Sequence, residues 1–540
     1  MKITPYNLKK AVRYLKNYGF REFWIRLREK GEPENISYED YRQKMVVSEE
    51  ALAAQRKQAD RWKEKPLLSC VILVSSRETS LGETWEEQMK RQSYASWELL
   101  LADTPDEGIE QAKGDYLVFV DEGDSLAPEA LYELAVAIRE PNRVRQSGVH
   151  WQRSEGKPDL LYTDEDCQNR AGLFKPDYDP EWLAQECYMK HLCCVRREIA
   201  QECSEPGMNL ESLVRAVAAS VPAEKIFHIP KVLYHCAMPY RMQLGQAEDR
   251  PVVADTPLIS IIIPNKDEMD TLRTCIESVK RSSYPAYEII IVENNSTRQD
   301  TFDYYEELQS KNHNISVVTC KLEQGFNYSF LNNYGVSFAK GKYLVFLNND
   351  IEIITTDWLE RMYAQCSRMD VAACGARLYY PDDTIQHAGI MVAVGGHARG
   401  IGANMCLGMP RQECGYMGRA ARRQSMSAVT AACMMMRTEV FHQVGGFTEE
   451  LAVAFNDVDL CLKVRKAGYR IVYEPAVEAY HYESKSRGQE DTPEKVRRFQ
   501  QEIEYMRTTW NDIMREGDPY YNPNLTRVRS DYSLGGISQK

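Results

Sequence analysis

Residues 340–350 read KGKYLVFLNND, and residues 113–124 read KGDYLVFVDEGD. Each is a Lys-Gly step, a residue, a tyrosine, an apolar run and a polar tip. A short apolar run without alternation, set between glycine and polar turn formers, predicts a strand covered on both faces. The later stretch therefore predicts a strand over Tyr343–Leu347 that delivers Asn348, Asn349 and Asp350 to one edge of a sheet.

The two stretches belong to a longer repeat. PLLSCVIL (66–73) matches PLISIIIP (257–264), and SYASWELLLAD (93–103) matches SYPAYEIIIVE (283–293), at offsets of 191 and 190. Tyr116 and Tyr343 are 227 apart. IFHIP (226–230) lies 245 before IVYEP (471–475), and Tyr234-His235 parallels Tyr480-His481. Matches that keep their order predict a tandem duplication of a unit of roughly 200 residues. Before Tyr116 the first copy is shorter by 37 residues, the size of one helix plus one strand.

In the second copy, strands expected at Ile259–Pro264, Tyr287–Val292 and Ile315–Val318 alternate with helical pattern. The helix expected at Thr271–Arg281 carries Leu272, Cys275, Ile276 and Val279 on one face. This order predicts an α/β fold with a mostly parallel sheet. Ligands of such sheets gather at the carboxyl ends of the strands. Three polar tips fall there: Pro264-Asn265-Lys266-Asp267, Glu293-Asn294-Asn295-Ser296 and Asn348-Asn349-Asp350. Each alone also reads as a turn. Asp457 and Asp459 read as preceding a helix with Leu460, Leu462 and Val464, where a capping pair is the plainer reading. His481 reads as following a strand at Arg470–Tyr473 and the loop after it.

The chain has 540 residues, more than one ordinary core holds, and the composition, 43% hydrophobic and 27% charged, is globular. A net charge of −12 argues against nucleic acid as a partner. Residues 1–30 depart from this, with a net charge of +7 and Phe20, Phe23 and Trp24. They read either as a peripheral contact with an anionic membrane or as a helix packed on the first copy. The fifteen cysteines lack paired spacing, so neither a zinc site nor a disulfide frame is apparent, which suits the cytosol. No secretory leader is visible. Apolar runs such as Leu258–Pro264 and Ala428–Met436 fall short of the ~20 residues that span a bilayer. The expected location is the cytoplasm, including the inner face of the plasma membrane.

The segments SIIIPNKD (260–267), IIIVENNS (289–296), GKYLVFLNND (341–350), the Gly445-Gly446-Phe447 turn, NDVDLCLKVRKAGYR (456–470) and YHYESKSRG (480–488) occur in family order. With them the second copy resembles the family 2 glycosyltransferases, nucleotide-sugar enzymes of the GT-A fold. AVTAAC (428–433), DTPEK (491–495) and PYYNPNLT (519–526) resemble a bacterial branch with two such domains in tandem, linked to rhamnan, O-antigen and other surface polysaccharides. The resemblance implies a helical extension at 1–65, a degenerate GT-A-like domain at 66–250, a catalytic GT-A domain at 257–495, and a C-terminal helix and tail at 496–540.

It also implies roles. Asp457 is the catalytic base. Pro264, Asn265, Glu293, Asn295, Asn327, Asn332, Asn348, Asn349 and Arg487 fall at the donor, with Glu293 where an acid reads the pyrimidine ring. Asp350, Asn348 and His481 fall on the site of a divalent metal, Mg²⁺ or Mn²⁺. His387, His397 and Asp459 lie toward the acceptor. The implied reaction is an inverting, metal-dependent transfer from a nucleotide-diphosphate sugar, dTDP-rhamnose or a UDP-sugar, to a glycan or lipid-linked glycan.

In the first copy LLYTDEDC (160–167) and FKPDYDPEW (174–182) keep the likeness. Gly123 stands at the position of Asp350 on the direct register, with Asp124 one residue away, and Asn209 stands near that of Asp457. This predicts a degenerate domain that binds glycan, braces its neighbour or forms a partner surface. A competing reading of the whole chain is a non-catalytic sugar- or nucleotide-binding scaffold. A nucleotidyltransferase would want a Gly-rich, cation-bearing phosphate loop after the first strand, and Pro264-Asn265-Lys266-Asp267 is not one.

Overall fold

The Lys-Gly steps form the same latch twice. Gly341 N donates to Ser260 Oγ at 2.8 Å, Ser260 Oγ donates to Glu288 Oε1 at 2.6 Å, and Lys340 N donates to that oxygen at 2.8 Å. In the first copy Gly114, Ser69, Glu98 and Lys113 repeat the set at 2.8, 2.6 and 2.6 Å. A Cβ on Gly341 would stand 2.6 Å from Ser260 N, and one on Gly114 would stand 2.6 Å from Leu67 O. The glycines are set by this close approach of two backbones.

The structure is a computed structural model that describes residues 15, 36–75, 79–141, 156–167, 171–238, 251, 253, 255–322, 325–395, 400–482 and 492–535. Residues 1–35, Leu15 apart, lie outside it. Helices Tyr38–Met45 and Glu49–Asp60 represent the expected extension.

Two units divide the chain: Asn35–Gly245 with Pro519–Leu525 and Leu534–Lys540, and Gln246–Asp518 with Thr526–Ser533. The N-terminal unit holds an eight-stranded sheet among its described residues. Its strands are β1 (Leu68–Leu73), β2 (Trp97–Ala102), β3 (Tyr116–Asp121), β4 (Ser125–Leu126), β5 (Leu160–Cys167), β6 (Ala171–Leu173), β7 (Cys193–Arg196) and β8 (Ile226–Cys236). They run in the order β2-β1-β3-β7-β5-β8-β4, with β6 paired to β5.

The C-terminal unit repeats the plan with β9 (Ile259–Asn265), β10 (Tyr287–Glu293), β11 (Ile315–Thr319), β12 (Tyr343–Leu347), β13 (Ile351–Ile353), β14 (Val371–Tyr379), β15 (Ile385–His387), β16 (Ile390–Val392), β17 (Gly402–Asn404), β18 (Gln424–Ser425), β19 (Cys433–Arg437) and β20 (Arg470–His481). The main order is β11-β10-β9-β12-β19-β14-β20-β13, and β16 and β17 form a separate ribbon. The added β11, with helices Gln299–Lys311 and Tyr328–Val336, occupies the stretch where the first copy is shorter.

Both sheets are mixed rather than mostly parallel, because β7 and β19 enter antiparallel. A strand covered on both faces has the same apolar run in either direction, so sequence periodicity cannot give its sense. The helix Met269–Lys280 buries Leu272, Cys275, Ile276 and Val279 against Ile259, Ile261 and Ile263, as its spacing predicts. Each such fully buried aliphatic side chain contributes about 1.5–3 kcal/mol.

Candidate functional site

The carboxyl ends of β9, β10 and β12 lie side by side. A hydrogen-bonded chain joins their tips. Asn349 Nδ2 donates to Asn265 Oδ1 at 2.6 Å, and Asn265 Nδ2 donates to Tyr305 Oη at 2.7 Å. Tyr305 Oη donates to Glu293 Oε2 at 2.7 Å. Glu293 also accepts from Ser296 N and Ser296 Oγ, both at 2.6 Å. A carboxylate offers about four acceptor positions, so three protein donors leave Glu293 one. Asp267 and Asn295, just past β9 and β10, sit at φ 57° and 55°. That left-handed turn suits Asp and Asn. Asn295 Nδ2 holds Leu322 O at 2.9 Å.

The neighbouring helix contributes packing. Asn327 caps Tyr328–Val336, accepting from Phe330 N and donating to Glu449 O, each at 2.9 Å. Asn332 is buried and gives Nδ2 to Tyr328 O. Asn333 clamps Phe447 through N–H and C=O, which brings Gly446, at φ 65°, within reach of its side chain. Pro264 lies within β9, one residue before Asn265.

At the β12 tip, Asp350 Oδ1 lies 3.2 Å from His481 Nε2, and Asn348 Nδ2 lies 3.3 Å from the same nitrogen. His481 is the last residue of β20, paired with Ile351, so the strand expected to stop at Tyr473 runs on to it where a loop was expected. The strand slips register across Pro475 and resumes, and a mid-strand proline conceals such a continuation. Gln386 Oε1 lies 2.5 Å from His481 Nδ1. With Nδ1–H donated there, Nε2 presents its lone pair to Asp350. Two acceptors turned toward each other, one of them oriented from behind, are a donor set that fits a small dication.

Asp457 lies in the first turn of the helix Asn456–Lys466 rather than ahead of it. Phe455, at φ 61°, starts the helix from a conformation costly for an aromatic residue. That choice leaves no mark in the residue pattern. Asp457 Oδ1 accepts from Val458 N at 2.8 Å and Oδ2 accepts from Ala431 N at 3.3 Å. Burial raises the carboxyl's pKa above its ordinary value, against the opposing pull of these N–H donors.

Three successive residues tie this acid to the β12 tip. Thr430 N donates to His387 Nε2 at 3.3 Å, Ala431 N donates to Asp457, and Ala432 O accepts from Asn348 N at 3.0 Å. His387 is 1% exposed, and its Nδ1 lies 2.7 Å from Asn404 Oδ1. Burial lowers its pKa to about 4, so the ring is neutral and holds the Thr430 loop. Asp459 is enclosed by Thr448 Oγ1 at 2.7 Å, Trp510 Nε1 at 2.9 Å and Lys463 Nζ at 3.1 Å, a bracing arrangement. His397 and Arg487 lie outside the described residues. Sequence reading missed Tyr305 and Gln386, and gave no role to Thr430–Ala432 although AVTAAC stood out.

Among the described residues no helix is long and apolar enough to cross a membrane. The Glycosyl transferase family 2 model matches residues 260–445. An uncharacterized protein, y4gI, of Sinorhizobium fredii (strain NBRC 101917 / NGR234) is 35% identical over 87% of this chain and 58% of its own length. The O-antigen biosynthesis protein RfbC of Myxococcus xanthus is 29% identical over 93% of this chain and 44% of its own length. The chain thus spans about half the length of these curated relatives. A solved structure of GalNAc-T7 with UDP, GalNAc and Mn2+ aligns over 48% of this chain and 50% of that chain, at 15% identity and a TM-score of 0.38. The family match begins in β9 and ends at the Gly445 turn, taking in all three strand tips, so the part of the chain similar to glycosyl transferase family 2 is the part that builds this sheet edge.

Proposed function

We propose that the C-terminal unit is an inverting, metal-dependent glycosyltransferase that moves a sugar from a nucleotide-diphosphate donor to a glycan or lipid-linked glycan in surface-polysaccharide synthesis. The observation that carries this is the Ala431–Ala432 link, which fixes a carboxyl of raised pKa beside a His-Asp pair at the sheet edge. A family 2 domain and a relative in O-antigen biosynthesis support it.

Asp457 takes the proton of the acceptor hydroxyl as that oxygen attacks C1 of the sugar. The bond from C1 to the diphosphate breaks, and the nucleoside diphosphate leaves with the electron pair. Attack from the face opposite the leaving group inverts C1. A base with a raised pKa takes the proton with more driving force at neutral pH. Asp350 and His481, with Asn348 beside them, would hold the metal. The chemistry a bound Mg²⁺ or Mn²⁺ supplies there is neutralisation of charge on the leaving diphosphate. Glu293, held by Tyr305 and Ser296, keeps one acceptor position for the N3–H of a uracil or thymine. This is compatible with UDP-sugars and with dTDP-rhamnose.

Incubation with a panel of nucleotide sugars and Mn²⁺, followed by measurement of released nucleoside diphosphate, tests the reading. Release that depends on both acceptor and Asp457 is expected. Binding of donor with no release under any acceptor would favour the scaffold reading.

A further inference from the structure

The N-terminal unit carries a cluster that the proposed transfer reaction does not use. Glu165 and Cys236 come from the paired strands β5 and β8, His191 precedes β7, and Asp124 precedes β4. His191 Nδ1 lies 3.3 Å from Glu165 Oε1 and 3.4 Å from Cys236 Sγ, and Cys236 Sγ lies 3.8 Å from Glu165 Oε1. The ligand atoms of Asp124, His191 and Cys236 all fall within 4.8 Å of one another.

These separations have a chemical meaning. Zinc bonds of about 2.0–2.3 Å in a tetrahedron set the ligand atoms about 3.3–3.8 Å apart. Carboxylate, imidazole and thiolate are zinc's donor types. The surroundings hold each donor from behind. Lys175 Nζ pairs with Glu165 Oε2 at 2.7 Å, and that oxygen also lies 3.2 Å from His191 Nδ1. Asp121 Oδ2 lies 3.5 Å from His191 Nε2, the carboxylate–histidine arrangement that orients a metal-binding ring. Asp124 accepts from Tyr234 Oη at 2.5 Å and Ala237 N at 2.8 Å, and Tyr234 stacks on the His191 ring.

The duplicate provides a control inside the same chain. Strand register places Tyr379 where Glu165 stands, Ala432 where His191 stands and Tyr482 where Cys236 stands. None of those three is carboxylate, imidazole or thiol. Asp124 alone has a matching acid there, Asp350, so the cluster combines one shared position with donors that the C-terminal unit lacks.

We propose that Asp124, His191 and Cys236 form a zinc site in the N-terminal unit, with Glu165 beside His191 and Cys236, separate from the metal site of the transferase unit. Binding displaces the protons of the Cys236 thiol and of His191 Nδ1. The spacing escapes sequence inspection because the ligands come from distant places in the chain rather than from a paired motif.

Cobalt(II) added to the full chain tests this, since a thiolate ligand gives a near-ultraviolet charge-transfer band that oxygen and nitrogen ligands do not. We expect one such band equivalent per chain, displaced by zinc, absent in Cys236→Ser and retained in Asp350→Asn. Absence of the band in the wild type, or its persistence in Cys236→Ser, would overturn the site. Asp121→Asn should weaken zinc 10- to 100-fold in competition with a chromophoric chelator. It leaves every ligand in place, so affinity unchanged by this variant would overturn the assigned orientation of His191.

Discussion

The two units share their foundations and differ at their tips. Both lay a Ser-Glu-Gly latch under the first strand, and both hang a tyrosine hydroxyl on a proline carbonyl at 2.7 Å, Tyr94 on Pro66 and Tyr284 on Pro257. Both carry a bulge in the long last strand near a proline. At the tips, Ser125 pairs with His235 as Ile351 pairs with His481, so Asp124, and not Gly123, is the counterpart of Asp350. Each unit also has an eleven-residue helix before its last long strand, and the second residue of each is acidic, Glu211 and Asp457. Asn209 is instead the cap of its helix, accepting from Ser212 N at 2.9 Å. The acids of the first copy are thus retained in place and differently engaged. His235 Nδ1 faces the Asp166 carboxylate at 2.8 Å, where His481 faces an amide. Duplication kept the sheet and reassigned the edge.

The sharpest way to break this comparison is to remove the two matched acids. Asp457→Asn should lower transfer 10²- to 10⁴-fold with donor binding kept, while Glu211→Gln should change transfer less than twofold. Initial rates with a saturating donor decide it, and equal losses would make the first copy catalytic. Because the base must be ionised, activity should fall as pH drops through Asp457's raised pKa, an acid limb above the ordinary aspartate value of about 3.9.

The next effect concerns the first copy's interior. His228 is bracketed by Asp164 at 3.0 Å and Asp177 at 3.1 Å. Burial lowers its pKa, but the two carboxylates outweigh this and hold the ring above its ordinary value. His228→Gln should cost the N-terminal unit about 3–5 kcal/mol by leaving buried carboxylates without their cation. The deficit should be full below a pH of about 6.5 and shrink as pH rises through His228's folded pKa, read by denaturant unfolding at several pH values.

A smaller effect tests the shared foundations. Gly114→Ala and Gly341→Ala should each destabilise their own unit by about 1–3 kcal/mol through overpacking, measured as shifts in unfolding midpoint. A harmless result in one would show the latches to be unequal. Smallest, Gln386→Ala frees the back of the His481 ring and should weaken Mn²⁺ activation about 10-fold, seen in a metal titration of the rate.

The Tyr343–Leu347 strand and the buried face of Met269–Lys280 were legible because apolar periodicity reports burial directly. The duplication was legible because its matched segments keep their order. The Asp124 register was not, since one residue of slip between β3 and β4 is invisible to linear alignment. Gln386 and Tyr305 were missed because they act through distant partners, 95 and 12 residues away along the chain. The strand sense of β19 was missed because burial carries no direction.

Asn522 gives its amide to both oxygens of the buried Asp164 at 2.9 Å, across a sequence separation of 358 residues. Chains are made from the N-terminus at about 5–20 residues per second. The N-terminal unit must therefore wait for a segment translated after most of the C-terminal unit before that carboxylate gains its amide partner. Throughout synthesis of the C-terminal unit, the nascent N-terminal unit lacks one of its internal donors. A ribosome stalled before residue 522 would hold a first unit that is formed but not yet locked.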